Sequence, residues 1–284
     1  MMNNSMDDGN AKLYICATPI GNLGDMSQRA IEVLRSVDLI AAEDTRNSIK
    51  LLNHFDIKTP MTSYHEFNKY DKADELVTKI LAGTNVAVIT DAGTPCISDP
   101  GEVLVQKCAD AGITIVSVPG PSAVITALTL SALNTRRFVF EGFLPPQKKE
   151  RLKVLDRLKD ETRTMVLYEA PHHLISTLEE LKKILGGNRR ISLCREMTKR
   201  YEEVIRTSID EAISMEPKGE YVLVIEGRSE KELEEEKQDK FLSMSLEEHM
   251  EIYLSQGNDK KEAMKLVAKD RGISKRDVYN MLQK

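Results

Sequence analysis

The chain has no tryptophan, and phenylalanine and tyrosine bring its aromatic share to only 5%. That argues against a sheet of aromatic side chains on which successive RNA bases stack. Only four cysteines occur (Cys16, Cys96, Cys108 and Cys194), and none is spaced as a Cys-x-x-Cys pair. They are too scattered for a disulfide framework or a structural zinc site, and they read as buried or partly buried thiols of a reducing cytosol. No apolar run approaches the roughly 20 residues that cross a bilayer, so no membrane partner is expected. The opening MMNNSMDDGN has neither a basic nor an apolar stretch, so residues 1–10 read as a short disordered lead, not a signal peptide, and the expected location is cytoplasmic. Positive charge is in short supply too. With 40 Lys and Arg against 45 Asp and Glu the net charge is −5, which excludes a uniformly basic coat but leaves room for local patches.

What is present is an alternation of short apolar runs and helical patterns. Leu13 to Ala17, Leu39 to Ala42, Val86 to Thr90 and Thr114 to Val118 read as strands. Between them lie helices, one opened by Ser27, one after Glu43-Asp44-Thr45-Arg46, one over Asp74 to Leu81 and one over Gly101 to Ala111. Continuous apolar strands alternating with helices indicate a parallel sheet covered on both faces, so the class is α/β. A small-residue helix over Ser122 to Ala132 follows, with strands at Phe138 to Phe143, Thr164 to Tyr168, Ile191 to Arg195 and Tyr221 to Ile225. The expected organisation is an N-terminal α/β domain over 11–121, a second α/β domain over 122–228, a charged linker over 229–244 and a helical tail over 245–284. In that tail, Asp259 to Asp270, the turn Gly272-Ile273-Ser274 and Lys275 to Leu282 have helix-turn-helix form. From Gly257 to the end it carries eight Lys and Arg against four Asp and Glu, so it is locally basic.

Ligands of parallel α/β sheets bind beyond the carboxyl ends of the strands, and there the chain places three Gly/Pro-rich loops. TPIGNLG follows the first strand, DAGTPCISDPG follows Val86 to Thr90, and PGPSA follows Thr114 to Val118. TPIGNLGD lacks the lysine of a Walker A loop and the spacing of a dinucleotide fingerprint, so neither phosphate cradle is built here. Glycine allows close backbone approach and proline stiffens it, which suits a polar ligand held by main-chain groups.

In this order, LYICATPIGNLGDMS, AAEDTR, VITDAGTPCISDPG, VSVPGPSAV, FEGFLP, YEAPHH and GEYVLVIEG closely resemble the RsmI family. These are bacterial small-subunit ribosomal RNA cytidine 2′-O-methyltransferases within the tetrapyrrole-methylase-like class. The resemblance covers about residues 11 to 228. It implies two α/β domains of the tetrapyrrole methylase type with S-adenosylmethionine in the cleft between them, a homodimer, and small-subunit ribosomal RNA or the 30S subunit as partner. By position it implies that Pro19 and Gly21 line the cleft floor. Asp91, Gly93, Thr94, Pro95 and Ile97 would contact the cofactor, Ser122 and Ala123 would approach it from the linking helix, and Tyr168 and Ala170 from the second domain. The family commonly has YEAPHR where this chain has His173.

A ribose hydroxyl is a weak nucleophile, so a carboxylate that takes or orients its proton is expected. Glu43, Asp44 and Glu169 are the leading candidates, with Asp91 and Asp99 beside them. Each has an alternative reading as a cap or loop brace, most strongly Asp99 before Pro100-Gly101, and Arg46 and Glu43 could equally form an ion pair. His172 and His173 have no partners at ligand spacing, and no metal is expected. RNA phosphates are assigned to Lys148, Lys149 and Arg151, with Lys153 and Arg157 on the same basic helix. Arg195, Lys199 and Arg200, and Lys275 and Arg276 of the tail, join them. Two rival readings are a methylase of this fold acting on a small molecule such as a tetrapyrrole, and a non-enzymatic nucleic-acid-binding protein built on the tail.

Overall fold

The computed structural model describes residues 10–283, and the expected disordered lead falls almost wholly outside them. The chain begins with β1 (Leu13–Cys16), α1 (Gln28–Ser36), β2 (Leu39–Ala42), α2 (Thr45–His54) and β3 (Met61–Ser63). It continues through α3 (Lys69–Leu81), β4 (Val86–Ile89), α4 (Gly101–Asp110) and β5 (Ile115–Val118). These five strands form one sheet in the order β3-β2-β4-β1-β5. Every pairing in it is parallel. All its carboxyl ends therefore share one edge, as the buried apolar runs required. Apolar clusters cover both faces, one gathering Leu34, Ile40 and Leu52 and the other Leu76, Val86 and Leu104.

The second sheet is assembled differently. After α5 (Ala123–Leu130) come β6 (Phe138–Phe143), α6 (Lys148–Leu158), β7 (Thr164–Glu169), α7 (Leu174–Leu185), β8 (Arg190–Arg195), β9 (Glu203–Ser208), α8 (Ile209–Ile213) and β10 (Tyr221–Ile225). Their order is β6-β7-β10-β8-β9. Only β6 and β7 run parallel, and the other pairings are antiparallel. Val166, Cys194, Val222 and Val224 pack on α5. By the two-residue alternation of strands, Met165, Leu167, Leu193, Leu223 and Ile225 face the other side, and all are buried.

The sequence reading found neither β3 nor β9. Both are edge strands with few fully buried side chains, so the apolar run that marks a central strand is missing. It also started α3 five residues late, at Asp74, because the first turn of that helix is polar. The small-residue helix is shorter than expected, and Ala132 just beyond it adopts a left-handed φ of 59°.

By compactness the chain divides into 1–156 with 164–226, which holds both sheets, and 157–163 with 227–284. In the second unit the charge-dense stretch is a helix, α9 (Glu230–Ser243), followed by α10 (Leu246–Ser255), α11 (Lys260–Asp270) and α12 (Lys275–Met281). Side chains of Asp259 and Ser274 cap the last two helices, Ser274 through a reciprocal bond with Asp277. Leu246, Met250, Ala263, Val267 and Val278 form their common core. His249 is buried among them, stacked on Phe241 at 4.1 Å. Its Nδ1 accepts from Arg271, and its Nε2 lies 3.3 Å from Asp270. No helix among the described residues is long and apolar enough to cross a membrane.

The cysteines are all free. Burial pushes Cys16 and Cys96 up to about 12 and Cys108 and Cys194 up to about 11, so none is a thiolate at neutral pH.

Leu167, fully buried at the middle of β7, is a direct test of the second sheet's packing. Leu167→Ala is expected to cost about 2–5 kcal/mol, read as a lower urea midpoint at unchanged slope.

Candidate functional site

Beyond the carboxyl edge of the first sheet the three loops are tied into one body. The Thr18 amide donates to the Gly93 carbonyl at 2.9 Å, and the Gly93 amide donates back at 3.1 Å. The Thr18 hydroxyl, fully buried, donates to the Thr90 carbonyl at 3.1 Å. Gly93 has a φ of +86°, and a Cβ there would stand 3.2 Å from Ile20. The Thr94 hydroxyl then donates to Pro121 O at 2.9 Å, fastening the second loop to the third. Within the second loop, both Asp99 oxygens accept from the Cys96 amide and one also from the Gly101 amide. These bonds hold the turn in which Cys96 and Ser98 take φ of 71° and 62°. Asp99 is thus a loop brace.

Against this body stands a wall from the second sheet. The loop from β8 to β9 carries Glu196 and Thr198 at φ of 47° and 66°, an unusual backbone for residues with side chains. Glu196 is held in it by the Glu220 amide at 3.1 Å and by the Lys199 ammonium at 3.2 Å. A Cβ on Gly21 would run into the side chains of Lys199 and Thr198, so only glycine lets the first loop lie on this wall.

Between loops and wall lies a cavity of about 270 Å³, lined by Ile20, Ala92 and Ala123 on one side and Phe143, Tyr168, Met197 and Val222 on the other. Glu169, Glu196, Lys199 and Glu220 supply its polar border, with Ala170 beside them. A smaller cavity of about 150 Å³ shares Ala92, Ala123 and Tyr168 with it. It is bounded by Glu43, Thr90, Gly93 and Thr94, and by Ile97, Ser98 and Ser122. Tyr168 is steadied by Phe140 and Phe143 at ring distances of 5.0 and 5.4 Å, and burial raises its phenol above the usual value.

The candidate residues of the sequence reading are thereby sorted. Gly93, Thr94, Ile97, Ser122, Ala123, Tyr168 and Ala170 all border the two cavities. Pro19, Gly21, Pro95 and Asp91 do not line them. The carboxylates differ sharply. Glu43 accepts from the Thr90 hydroxyl at 2.6 Å and faces the smaller cavity. Glu169 is buried, with one oxygen on the Ala170 amide at 2.8 Å and the other on the Thr177 hydroxyl. Arg151 donates to Thr177 at 2.7 Å and to Glu180 at 2.6 Å, completing a buttress behind β7.

Asp44 caps α2 through the Arg46 amide and pairs with the Arg46 guanidinium at 2.8 Å. The ion pair read between Arg46 and Glu43 is therefore made with Asp44 instead. Asp91, 3.4 Å from the Asn47 side chain, has its pKa raised by desolvation and by the neighbouring Glu43 charge.

Of the assigned RNA contacts, Arg195 pairs with Glu203 at 2.7 Å, and Lys199 with Glu196 and Glu220, each at 3.2 Å. With Arg151 they serve the fold and the cavity wall. Lys148, Lys149 and Arg200 are exposed. Lys275 and Arg276 open α12 of the helical unit, Arg276 exposed and Lys275 partly so. His172 and His173 lie with tilted rings 4.2 Å apart where α7 begins. The sequence reading missed Ile20, Ala92, Phe143, Met197 and Tyr221 as lining residues. The signal for Ile20 and Ala92 was their place inside loops already singled out.

A model of the family described as tetrapyrrole (corrin/porphyrin) methylases matches residues 12–213. The ribosomal RNA small subunit methyltransferase I of Halalkalibacterium halodurans is 47% identical, over 96% of this chain and 95% of its own. The Bacillus subtilis protein of the same name is 46% identical over 94% and 92%. Among solved structures, a diphthine synthase is similar with a TM-score of 0.64 at 12% identity, covering 77% of this chain and 91% of its own. A uroporphyrin-III-C-methyltransferase from Thermus thermophilus gives 0.55 at 16% identity, over 76% and 94%. At these identities the structural likeness is one of fold.

The Asp44–Arg46 pair holds the Asp44 carboxyl down at about 2, chiefly through the side-chain hydrogen bond. Its contribution is present above the ordinary value of 3.8 and is lost as the pH falls towards 2. Carboxyl NMR is expected to give Asp44 a midpoint of about 2, moving back towards 3.8 in Arg46→Ala. A wild-type midpoint already at 3.8 would show that the pair does not form in solution.

Proposed function

Because the chain belongs to the tetrapyrrole methylase family, and within it to the ribosomal RNA small subunit methyltransferase I family, we propose that it methylates the 2′-oxygen of a cytidine ribose in the decoding centre of small-subunit ribosomal RNA, using S-adenosylmethionine. The observation that carries this reading is the pair of adjoining cavities at the carboxyl edge, which share Ala92, Ala123 and Tyr168, one mostly apolar and one bordered by hydroxyls and Glu43. Ligand pockets run from about 300 to 1,000 Å³, and the two together suit an elongated ligand with an apolar and a polar end. When bound, S-adenosylmethionine supplies a methyl group on a sulfonium, which departs as a neutral thioether.

The protein's share is placement and proton handling. Gly93, Thr94 and Ile97, with Ser122 and Ala123, hold the cofactor from the first sheet, with Pro95 stiffening their loop, and Tyr168 and Ala170 hold it from the second. Pro19, Gly21 and Asp91 shape the approach to it. A preset cleft of this kind contributes through alignment of the reacting atoms. Among the candidate bases, Asp44 is occupied by Arg46 and Glu169 by Ala170 and Thr177. Glu43 borders the cavity with one oxygen on Thr90, and we assign it the acceptor proton. Lys148, Lys149, Arg200, Lys275 and Arg276 are the phosphate contacts. The substrate is the RNA or the assembled 30S subunit, the enzyme works in the cytoplasm as a homodimer, and the helical tail is a separate module for RNA.

Calorimetric titration with S-adenosylmethionine is expected to show binding that Thr94→Trp abolishes. Absence of wild-type binding, both alone and with 30S subunits present, would overturn the reading. Glu43→Gln is expected to keep cofactor affinity and lose about 10²–10⁴ in kcat, the usual contribution of general base catalysis. Ribose-methylation mapping of the product identifies the nucleotide.

A further inference from the structure

Of the exposed aromatic side chains, which also include Phe143, Tyr201 and Tyr279, Phe67 stands out at 97% exposure, with Tyr70 nearby in sequence at 62%. Phe67 lies in the turn between β3 and α3, and Tyr70 three residues on in the first turn of α3. Leaving a phenylalanine almost wholly in water forgoes the stabilisation that its burial would bring. The turn that presents it is firmly built. The His65 amide donates to the Asn68 side chain at 2.8 Å, the Asn68 amide donates to the His65 carbonyl at 3.0 Å, and the Asn68 side chain reaches the Ser63 carbonyl. The Tyr70 carbonyl accepts from Lys107 of α4 at 3.3 Å, and the Lys69 ammonium lies 5.4 Å from the Tyr70 ring centre.

The turn is also bolted to the candidate site. Tyr64, buried at 1% exposure, donates its hydroxyl to the Pro100 carbonyl at 2.8 Å, at the end of the loop that borders the smaller cavity. Because the first sheet is wholly parallel, the end of β3 lies on the same edge as that loop, two strands from β4. Two strand spacings are about 10 Å, or about three stacked nucleotides at roughly 3.4 Å each.

We propose that Phe67 and Tyr70 form a stacking platform for unpaired bases of the RNA substrate a few nucleotides from the methylated ribose. The inference rests on the RNA reading given above and names the part of the RNA that this edge holds. An aromatic face accepts any base, and a rigid turn presents it without an ordering cost. The platform fixes where the strand lies, while the cavities fix which ribose reacts. Phe67 and Tyr70 are therefore positioning residues.

Two measurements test it together. In the first, Phe67→Ala is compared with wild type on 30S subunits. The expected result is a KM for the RNA raised about 5- to 150-fold, the worth of one stacked base, with kcat at saturation, S-adenosylmethionine affinity and molecular mass unchanged. The second uses the absence of tryptophan, so that Phe67→Trp carries a single indole. Its fluorescence is expected to be quenched by a single-stranded 12-nucleotide RNA. A Leu81→Trp protein, with its probe exposed at the far end of α3, should not respond. An unchanged KM in Phe67→Ala, equal quenching at both positions, or a fall in molecular mass that marks the patch as a contact between copies would each overturn the platform. If Phe67→Trp is quenched selectively but 30S subunits are never methylated, the platform stands and the proposed reaction fails.

Discussion

The exchange of hydrogen bonds between Thr18 and Gly93 sets the geometry of everything at the carboxyl edge. It forms an isolated antiparallel bridge just beyond the parallel pairing of β1 and β4, so the loops after both strands leave as one body. Gly93 can take part because it adopts a left-handed φ that side-chain-bearing residues rarely take, and a Cβ there would crowd Ile20. Thr94 then reaches Pro121 and sets the start of α5, the helix on which the second sheet packs. A chain of short-range bonds thus carries the position of one sheet to the other.

The same logic separates the carboxylates. Five acidic residues lie near strand ends, and residue type alone gives each the same chemistry. Asp99 accepts from three amide contacts, Glu169 from an amide and a hydroxyl, and Asp44 from a helix N-terminus and a guanidinium. Carboxylates so engaged hold structure. Glu43 and Asp91 are less committed, and their mutual repulsion adds to the desolvation that raises the pKa of Asp91.

Much of this was legible before any coordinates. Continuous apolar runs such as Val86 to Ile89 mark a strand buried on both faces, and they gave away the parallel sheet. The glycines and prolines of the three loops marked the edge where the cavities lie. The facing wall was not legible, because Glu196 and Thr198 hold left-handed backbones without the glycine that usually signals them. Their lysine neighbour, Lys199, therefore read as a phosphate contact, and its place between Glu196 and Glu220 came only with the tertiary structure. Arg151 and Arg195 are likewise engaged by carboxylates on other elements, Glu180 and Glu203, which sequence spacing does not reveal. Edge strands β3 and β9 escaped because half-exposed strands carry ordinary polar residues.

The strand order has a consequence in time. Leu13 of β1 pairs with Val86 on one side and with Ile115 on the other. This interior strand is made first, yet its second neighbour does not exist until Ile115 has been added. At about 5–20 residues per second, a nascent chain holds that strand without at least one of its partners for roughly 5–20 s. Through that interval its apolar residues have no sheet to complete, so the first half of the protein depends during synthesis on whatever shields a bare strand at the mouth of the ribosome.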